Sequence, residues 1–191
     1  MALLNPTGRL GVCLRRGVAA LCLLMGALHV PAQPGGSDYQ IKTIFLFNFA
    51  SFVEWPATAF ADPHAPLIIG VLGHDPFGSF LDETVRGEKA SGRNLVIRRY
   101  RLVEEIDACH ILFVSGSESG RLKAIFAALR GRSILTVGDT EGFALQGGIV
   151  QFFTDRNRVR LRINLDAAKA AGLVISSKLL RTVEVIEPGK K

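Results

Sequence analysis

Aromatic residues are most concentrated in one stretch near the N-terminus, from Tyr39 to Pro56, which reads YQIKTIFLFNFASFVEWP. The apolar residues of this stretch cover most of the circumference of a helix and leave only a narrow polar strip. A membrane-spanning helix needs about 20 predominantly apolar residues, so this stretch is too short and too interrupted to be one. The pattern predicts a helix over residues 39–55, ended by Pro56, that either packs on several sides or keeps an aromatic face for a partner.

Short apolar runs separated by turn-forming residues continue the chain. Three of them read as buried strands, a charged β-prone run as a strand near the sheet edge, and two periodic runs as helices. In chain order they are residues 67–72 (strand), about 77–85 (helix), 94–101 (edge strand), 111–114 (strand), 119–129 (helix) and 133–137 (strand). This alternation indicates right-handed βαβ units and a mostly parallel sheet.

The C-terminal part is predicted to add a hairpin and two helices. The hairpin has strands over 148–153 and 159–163, one helix opens at Asn164 or Asp166, and a last helix, capped by Ser176 or Ser177, runs to about Ile186. The predicted fold class is therefore α/β. It is a single three-layer domain with a mixed, mostly parallel sheet, a C-terminal antiparallel hairpin and flanking helices.

The first 32 residues have the pattern of a secretory signal peptide. Arg9, Arg15 and Arg16 precede an apolar run over 17–28, and residues 30–32 fit a cleavage site. The apolar run is about 12 residues long, which is too short for a membrane anchor. We expect a signal peptide over 1–32, a flexible leader over 33–38, one α/β domain over 39–187 and a tail over 188–191, with the mature chain outside the cytoplasm.

Charge and cysteine content change once the signal peptide is removed. The chain has 23 basic and 17 acidic residues, and the three arginines of the signal leave a mature net charge of about +3. So mild a charge does not favour nucleic acid as a partner. Cys109 is the only cysteine beyond the signal, so the mature chain cannot form an intrachain disulfide.

The sequence carries no motif for a metal, cofactor or catalytic site. His64, His74 and His110 lack the spacing of metal ligands, and no Walker or nucleophile-elbow motif occurs. We therefore expect no metal, no cofactor and no enzymatic activity. Cys109 beside His110 is compatible with an activated thiol, but the apolar run after it favours a sheltered structural cysteine, with an intermolecular disulfide as a minor alternative.

An ordered set of motifs over residues 39–186 resembles a known family. In chain order the motifs are NFA…FVEWP (48–56), GVLG…DPFG (70–78), CHILFV (109–114), LTVGD…GF…GGIV (135–150), RLRIN (160–164) and GL…ISSKLL (172–180). No single motif is specific, but in this order and spacing they are similar to the YfiR-type family of small bacterial periplasmic proteins.

The resemblance implies a periplasmic regulatory protein with an α/β fold that tends to form homodimers. The best-known member of the family is a repressor that docks on the periplasmic domain of an inner-membrane diguanylate cyclase, and so limits cyclic-di-GMP synthesis and biofilm formation. Other members are thought to serve other membrane-bound sensor enzymes, such as sensor kinases. The better-known members use intramolecular disulfides in redox regulation, which this chain cannot do with Cys109 alone.

Two groups of residues are candidates for a partner or dimer interface. The first belongs to the predicted aromatic helix and comprises Phe45, Phe49, Phe52, Glu54 and Trp55. The second comprises Arg158, Arg160 and Arg162, which alternate with apolar residues and therefore share one face of a strand. Core packing of the aromatic residues and simple solvation of the arginines are the competing interpretations.

Polar residues also follow two of the predicted buried strands. His74 and Asp75 come after residues 67–72, and Ser115 and Ser117 come after residues 111–114. If these strands are neighbours at a topological switch point, the four residues flank a crevice for a small polar ligand. Turn formation by Asp75 and helix capping by Ser117 explain the same residues without a ligand.

Two functions follow as hypotheses. In the first, the protein is exported and represses the periplasmic sensor domain of an inner-membrane signalling enzyme, a diguanylate cyclase above all, by stabilising its inactive state. In the alternative, the protein is a periplasmic small-ligand-binding module without a cyclase partner.

Overall fold

The computed structural model describes residues 36–188. The predicted signal peptide over residues 1–32 lies outside the described residues, as do residues 189–191. Among the helices of the described part, none combines the length and the hydropathy that crossing a membrane requires.

Five helices and ten strands make up the described residues. The helices are α1 (Gly36–Phe52), α2 (Ser79–Val85), α3 (Leu122–Ala128), α4 (Leu165–Ala170) and α5 (Ser177–Leu180). The strands are β1 (Val53–Glu54), β2 (Leu67–Leu72), β3 (Lys89–Ala90), β4 (Arg93–Tyr100), β5 (Ile111–Val114), β6 (Leu135–Gly138), β7 (Val150–Asp155), β8 (Arg158–Asn164), β9 (Val174–Ile175) and β10 (Glu184–Ile186). Short 3₁₀ turns occur at Ala57–Ala59, Val103–Glu105 and Gly116–Arg121.

Eight of the strands form one mixed sheet in the order β10-β8-β7-β6-β5-β2-β4-β3. Its neighbouring pairs are parallel except for the β7–β8 hairpin and the β3–β4 pair at the edge. β1 and β9 form a separate antiparallel pair. The predicted α/β domain, with a mostly parallel mixed sheet and a C-terminal antiparallel hairpin, is confirmed.

The sheet has a topological switch point at β2. β4 pairs with one side of β2 and β5 with the other, and Leu72 and Val114 are opposite each other near the carboxyl ends of β2 and β5. Every residue of β2 is buried, as expected for a strand with helices on both faces. The condition on which the crevice hypothesis depends is therefore met, and the loops that follow β2 and β5 are neighbours.

Two apolar clusters, one on each face of the sheet, form the core. On the face covered by α1 and α2, Phe49 and Leu81 belong to the same cluster as Phe113 of β5. On the opposite face, Ile125 of α3 packs in a cluster with Leu112 of the same strand. Because alternate residues of β5 point to opposite clusters, the sheet is the middle of three layers.

The aromatic helix ends earlier than predicted. α1 runs from Gly36, within the predicted leader, to Phe52, whereas the sequence suggested a helix to residue 55. Val53 and Glu54 are extended and pair with β9. The β-branched Val53 and the proximity of Pro56 both disfavour continuing the helix, and the pairing with β9 stabilises the extended form.

The next two helices also begin later than predicted. α2 starts at Ser79 because the Asp75 carboxylate accepts a hydrogen bond from the Phe77 amide (2.7 Å) and so forms a turn ahead of the helix. α3 starts at Leu122, and the residues before it form the 3₁₀ turn Gly116–Arg121. Both differences are local and leave the order of elements unchanged.

The C-terminal end contains one confirmed and one wrong prediction. Asn164 opens α4, as expected, because its side chain accepts a hydrogen bond from the Ala167 amide (2.9 Å). The last helix, however, ends at Leu180 rather than near residue 186. Glu184–Ile186 instead form β10, which pairs in parallel with β8.

Candidate functional site

The inner face of α1 belongs to the core. Leu46, Phe49 and Ala50 are at most 1% exposed. The centroid of the Phe49 ring lies 6.3 Å from that of Phe152 in the sheet. Phe49, one of the interface candidates, is therefore committed to core packing within the single chain.

The outer face of α1 carries apolar side chains that the domain leaves in solvent. Ile41 and Ile44 are 42% and 51% exposed, and Phe45 and Phe52 are only partly buried. Together with Asn48 they are spaced three or four residues apart, so they share one side of the helix. We call Ile41, Ile44, Phe45, Asn48 and Phe52 the docking stripe. Exposed apolar surface of this kind is a candidate interaction site.

A groove next to the docking stripe deepens this surface. It lies between α1 and α5, has a volume of about 270 Å³, and is lined by Phe45, Phe52 and Leu179, with Lys178 as the charged residue. A space of this size is below the range of most cofactor sites and suits one or two inserted side chains. Lys178 favours an occupant that places an acidic group beside the apolar one.

The β1–β9 pair continues the surface beyond the end of α1. Glu54 is exposed and pairs with Val174, which is 61% exposed. The Ser176 amide donates a 2.8 Å hydrogen bond to the Phe52 carbonyl, which ties the end of α1 to the segment that leads into α5. Sequence reasoning proposed Glu54 but missed Val174, because only the pairing of β1 with β9 brings the two together.

Trp55 is part of a second cluster, at the amino-terminal ends of the parallel strands. Its indole N–H donates to the His110 carbonyl (3.2 Å), and the indole and imidazole rings meet edge to face, with centroids 6.2 Å apart. Phe60 stacks on the imidazole at 4.3 Å, and the Arg93 guanidinium lies 3.7 Å from the Phe60 ring centre. We call Trp55, Phe60, Arg93 and His110 the His110 cluster. Trp55 is therefore held by internal contacts as well as being half-exposed.

His110 is buried and engages both of its ring nitrogens. Nδ1 accepts a hydrogen bond from the Ile68 amide (3.0 Å), and Nε2 lies 3.1 Å from the Ala59 carbonyl oxygen. An acceptor at Nδ1 and a donor at Nε2 define the neutral ring with its proton on Nε2. Burial lowers the pKa of His110, and the positive charge of Arg93 acts in the same direction.

A polar contact anchors the other end of α1 to the sheet. Asp139, which follows β6, accepts a hydrogen bond from the Tyr39 hydroxyl (3.0 Å) and forms an ion pair with Lys42 at 2.6 Å. The Lys42 ammonium also lies 4.2 Å from the centre of the Tyr39 ring. Burial, followed by the Asp139 charge and hydrogen bond, raises the pKa of Tyr39 to about 12.

The four crevice candidates lie in the two loops at the switch point, and three of them, His74, Ser115 and Ser117, are joined by hydrogen bonds. The His74 amide donates to Ser117 Oγ (3.0 Å), and the Ser117 amide donates to the buried Ser115 hydroxyl (3.4 Å). The Asp75 carboxylate pairs with Arg99 at 2.7 Å. The bond between Ser117 and Ser115 caps the 3₁₀ turn Gly116–Arg121, so the capping residue is Ser115 and not Ser117 or Ser119 as predicted. A ligand role for the four residues stays a prediction.

The three arginines of β8 differ in their surroundings. Arg162 donates to both carboxylate oxygens of Glu184 on β10, at 2.9 and 3.0 Å, and lies 4.8 Å from the Phe153 ring centre. Arg158 and Arg160 are exposed. Of this group, Arg158 and Arg160 are therefore the residues that present positive charge to an acidic partner.

A larger cavity of about 540 Å³ lies between the end of α3 and α4. Its walls include Phe126 and Ala167, and its lining also includes Lys123, Arg130 and Asp166. Arg132 also lines the cavity, so three basic side chains face one acidic side chain and the charge of the lining is net positive. Such a charge favours anions over cations in general but does not by itself define a ligand class.

Cys109 has the surroundings of a structural cysteine. It is 7% exposed, and burial raises the pKa of its thiol to about 12. A thiol that stays protonated is a poor nucleophile and a poor metal ligand. Nowhere within residues 36–188 do three or more histidine, cysteine or acidic side chains gather as a metal site would require.

The comparison with protein families is consistent with this fold and surface. The model of the YfiR/HmsC-like family matches residues 39–184. The chain therefore belongs to the YfiR/HmsC-like family, and the resemblance of its sequence motifs is confirmed. The family implies a periplasmic regulator of diguanylate cyclase signalling, and its members are regulators rather than enzymes. A search among individually curated proteins gives no match.

Proposed function

We propose that this protein represses an inner-membrane diguanylate cyclase by binding its periplasmic sensor domain. The observation that carries the proposal is the docking stripe on α1, in a chain that belongs to a family of such regulators. α1 is held to the sheet at both ends, through Asp139 and through the His110 cluster that follows it. A preorganised surface of this kind loses little conformational entropy when it binds.

Repression requires the stripe to fit one conformation of the sensor domain better than another. Shifting a two-state equilibrium from 1:99 to 99:1 needs a difference of about 5.5 kcal/mol in binding free energy. Fully burying a large apolar side chain contributes about 1.5–3 kcal/mol. Because Ile41 and Ile44 are only about half exposed and the two phenylalanines less, burying the stripe would supply part of this difference, and further contacts, such as those of the groove beside Lys178, must supply the rest.

Substitution on the docking stripe tests the proposed surface directly. Ile44→Asp places a charge at its most exposed isoleucine, and Leu102→Asp is the matched control at a similarly exposed apolar side chain (46%) outside α1. We expect Ile44→Asp to weaken binding to the purified sensor domain at least about tenfold, which is 1.4 kcal/mol, with an unchanged melting temperature. Equal binding by the two variants would show that α1 is not the contact.

The cyclase as partner is tested in cells. Deleting the gene is expected to raise cyclic-di-GMP and biofilm formation, because the cyclase loses its repressor. Wild-type protein and the Leu102→Asp variant should restore the low level, whereas Ile44→Asp should not. Unchanged cyclic-di-GMP after deletion would contradict a cyclase partner and leave a sensor kinase as the enzyme to test.

We also propose that the protein is a homodimer, as the resemblance to YfiR-type proteins suggests. Light scattering after gel filtration measures the mass of the particle and so the oligomeric state. We expect Ile44→Asp to remain a dimer, because the stripe must stay free for the sensor domain. A monomeric Ile44→Asp variant would instead assign the stripe to the subunit contact.

A further inference from the structure

We propose that the His110 cluster is a pH-sensitive latch, which holds residues 55–66 against the sheet while His110 is neutral and releases them when it is protonated. The latch itself is independent of the proposed function. Its effect on partner binding rests on that function.

The hydrogen bonds of His110 cannot all survive protonation. Nδ1 accepts from the Ile68 amide, so a proton on Nδ1 would point at another donor. The Nε2 contact with the Ala59 carbonyl already uses the ring's one N–H. A charged ring must therefore turn away from Ile68 or leave that buried amide without a partner, and either change costs free energy.

Residues 55–66 depend on this cluster for their attachment. Apart from the short turn Ala57–Ala59, the segment has no regular structure, and Pro63 and Pro66 cannot donate backbone hydrogen bonds. Its contacts with the sheet include those of Trp55, Ala59 and Phe60 with His110. The further contacts run from Arg93 to the carbonyls of Asp62 and Ala65, at 3.1 and 2.6 Å.

The charged groups around His110 oppose its protonation. From β4, Arg93 presents a positive charge across the Phe60 ring. Within residues 55–66, the titratable side chains Asp62 and His64 are both exposed to solvent. The Asp62 carboxylate accepts a hydrogen bond from the His64 amide (2.7 Å). Immediately before His110 in the chain, the Cys109 thiol is buried and neutral. Within the described residues, no carboxylate contacts the imidazole to stabilise a cation.

The direction of the pH effect follows from these contacts. Because the folded state lowers the pKa of His110 below its usual value of 6.5, the latch is fully stabilised above about pH 6.5. Its stability is lost as the pH falls from 6.5 towards and through the lowered pKa. Mild acid should therefore open the segment before the domain unfolds.

Release of the latch would also affect the structure beside the docking stripe. Trp55 immediately follows β1, which pairs with β9 beside the end of α1. Loss of the Trp55 contact therefore removes the support at one end of that pair. Porins of the outer membrane are water-filled, so a periplasmic protein experiences the pH of the medium.

Trp55 makes the latch directly observable, because it is the only tryptophan of the chain. Tryptophan emission, recorded from pH 8 to pH 5, should shift to longer wavelength with a midpoint below pH 6.5, while far-ultraviolet circular dichroism stays native. His110→Asn keeps an acceptor for the Ile68 amide but does not titrate, so its emission should not change. His64→Gln, which removes the exposed histidine, should keep the wild-type transition.

Hydrogen exchange at Ile68 provides a second measurement on the unmodified protein, in case His110→Asn does not fold. The protection factor of the Ile68 amide should fall at least about tenfold between pH 7 and pH 5, which corresponds to 1.4 kcal/mol. Emission and protection that both stay constant in native protein over this range would overturn the latch. So would a transition that persists in His110→Asn or disappears in His64→Gln. None of these results depends on the cyclase or on the docking stripe.

Discussion

Cys109 precedes β5 and packs beside Gly70 of β2. A side chain added at Gly70 would come within 2.9 Å of the Cys109 sulfur, so there is no room for a reagent beside the thiol. With a pKa of about 12, roughly one thiol in ten thousand is ionised at pH 8. We expect a chain lacking residues 1–32 to react with Ellman's reagent only as fast as it unfolds.

The control for this prediction is the same chain in urea, where one thiol per chain should react at once. If the native thiol reacts as fast as free cysteine, Cys109 is accessible. The structural interpretation would then be wrong, and the intermolecular disulfide would return as the alternative.

Tyr39 should ionise late in an alkaline titration. Its pKa of about 12 lies above the usual 10.0, mainly through burial and then through Asp139. A raised pKa means that the Tyr39 contacts contribute stability below pH 10, and that this contribution is lost as the pH rises through about 12. Tyrosinate absorbance should therefore show almost no ionisation of native protein at pH 10, and Asp139→Asn should move the onset to lower pH.

His110 shows what sequence reasoning misses at the level of single residues. From the sequence alone, His110 is a histidine without metal-ligand spacing. The absence of that spacing argues against a metal-binding role and predicts no other role. Its contacts with Ala59 and Ile68 join positions 51 and 42 residues apart. Such contacts depend on the path of the chain across the sheet, which no local pattern encodes.

Among the helices, α4 has a cap that also serves the core. Asn164 accepts from the Ala167 amide and donates to the buried Ala144 carbonyl (2.8 Å). Asn164→Ala removes the cap and leaves that carbonyl unpaired, so it should lower the free energy of unfolding by about 2–4 kcal/mol in urea denaturation.

Ser176→Ala at α5 is the matched comparison for this prediction. Ser176 also caps a helix, through a 3.3 Å bond from the Lys178 amide, but serves no second buried group. We expect Ser176→Ala to lower the free energy of unfolding by about 0.5–1 kcal/mol. Equal losses in the two variants would mean that the Ala144 contact contributes nothing.

The elements that sequence predicts well are those whose signals are local. The continuous apolar run of β2 and the cap at Asn164 are both found as expected. The β7–β8 hairpin is also found, with Arg156 and Asn157 in the left-handed conformation that such two-residue turns require. In contrast, β1 and β10 depend on strands far along the chain. The predicted helices at those positions were wrong because pairing with β9 and β8 prevailed over local propensity.

The same distinction applies to the candidate site. Sequence identifies α1 as the unusual element, because its apolar residues exceed what one buried face requires. It cannot say that Phe49 faces the core while Ile41 and Ile44 face solvent, since the helix is apolar on nearly every side. The sheet decides which side is buried, and only the folded domain shows the docking stripe.

At the scale of the whole molecule, α1 links opposite ends of the sheet. Lys42 and Tyr39 contact Asp139 after the carboxyl end of β6, whereas Trp55, just beyond α1 and β1, contacts His110 before the amino-terminal end of β5. The docking stripe lies between these two anchors. The orientation of the stripe is therefore set by one ion pair and one titratable cluster.

Acid unfolding of the whole domain should consequently occur in two stages. His110 has a lowered pKa, so its stabilising contribution is complete above about pH 6.5 and lost below it. Asp82 has a pKa lowered mainly by its hydrogen bond from Arg99, so its contribution is complete above about pH 3.8 and lost only below that. The free energy of unfolding, measured with urea at a series of pH values, should fall first between pH 6.5 and 5 and again below pH 4. His110→Asn should abolish the first decrease alone and Asp82→Asn should reduce the second, whereas a single decrease below pH 4 in wild-type protein would contradict the separation.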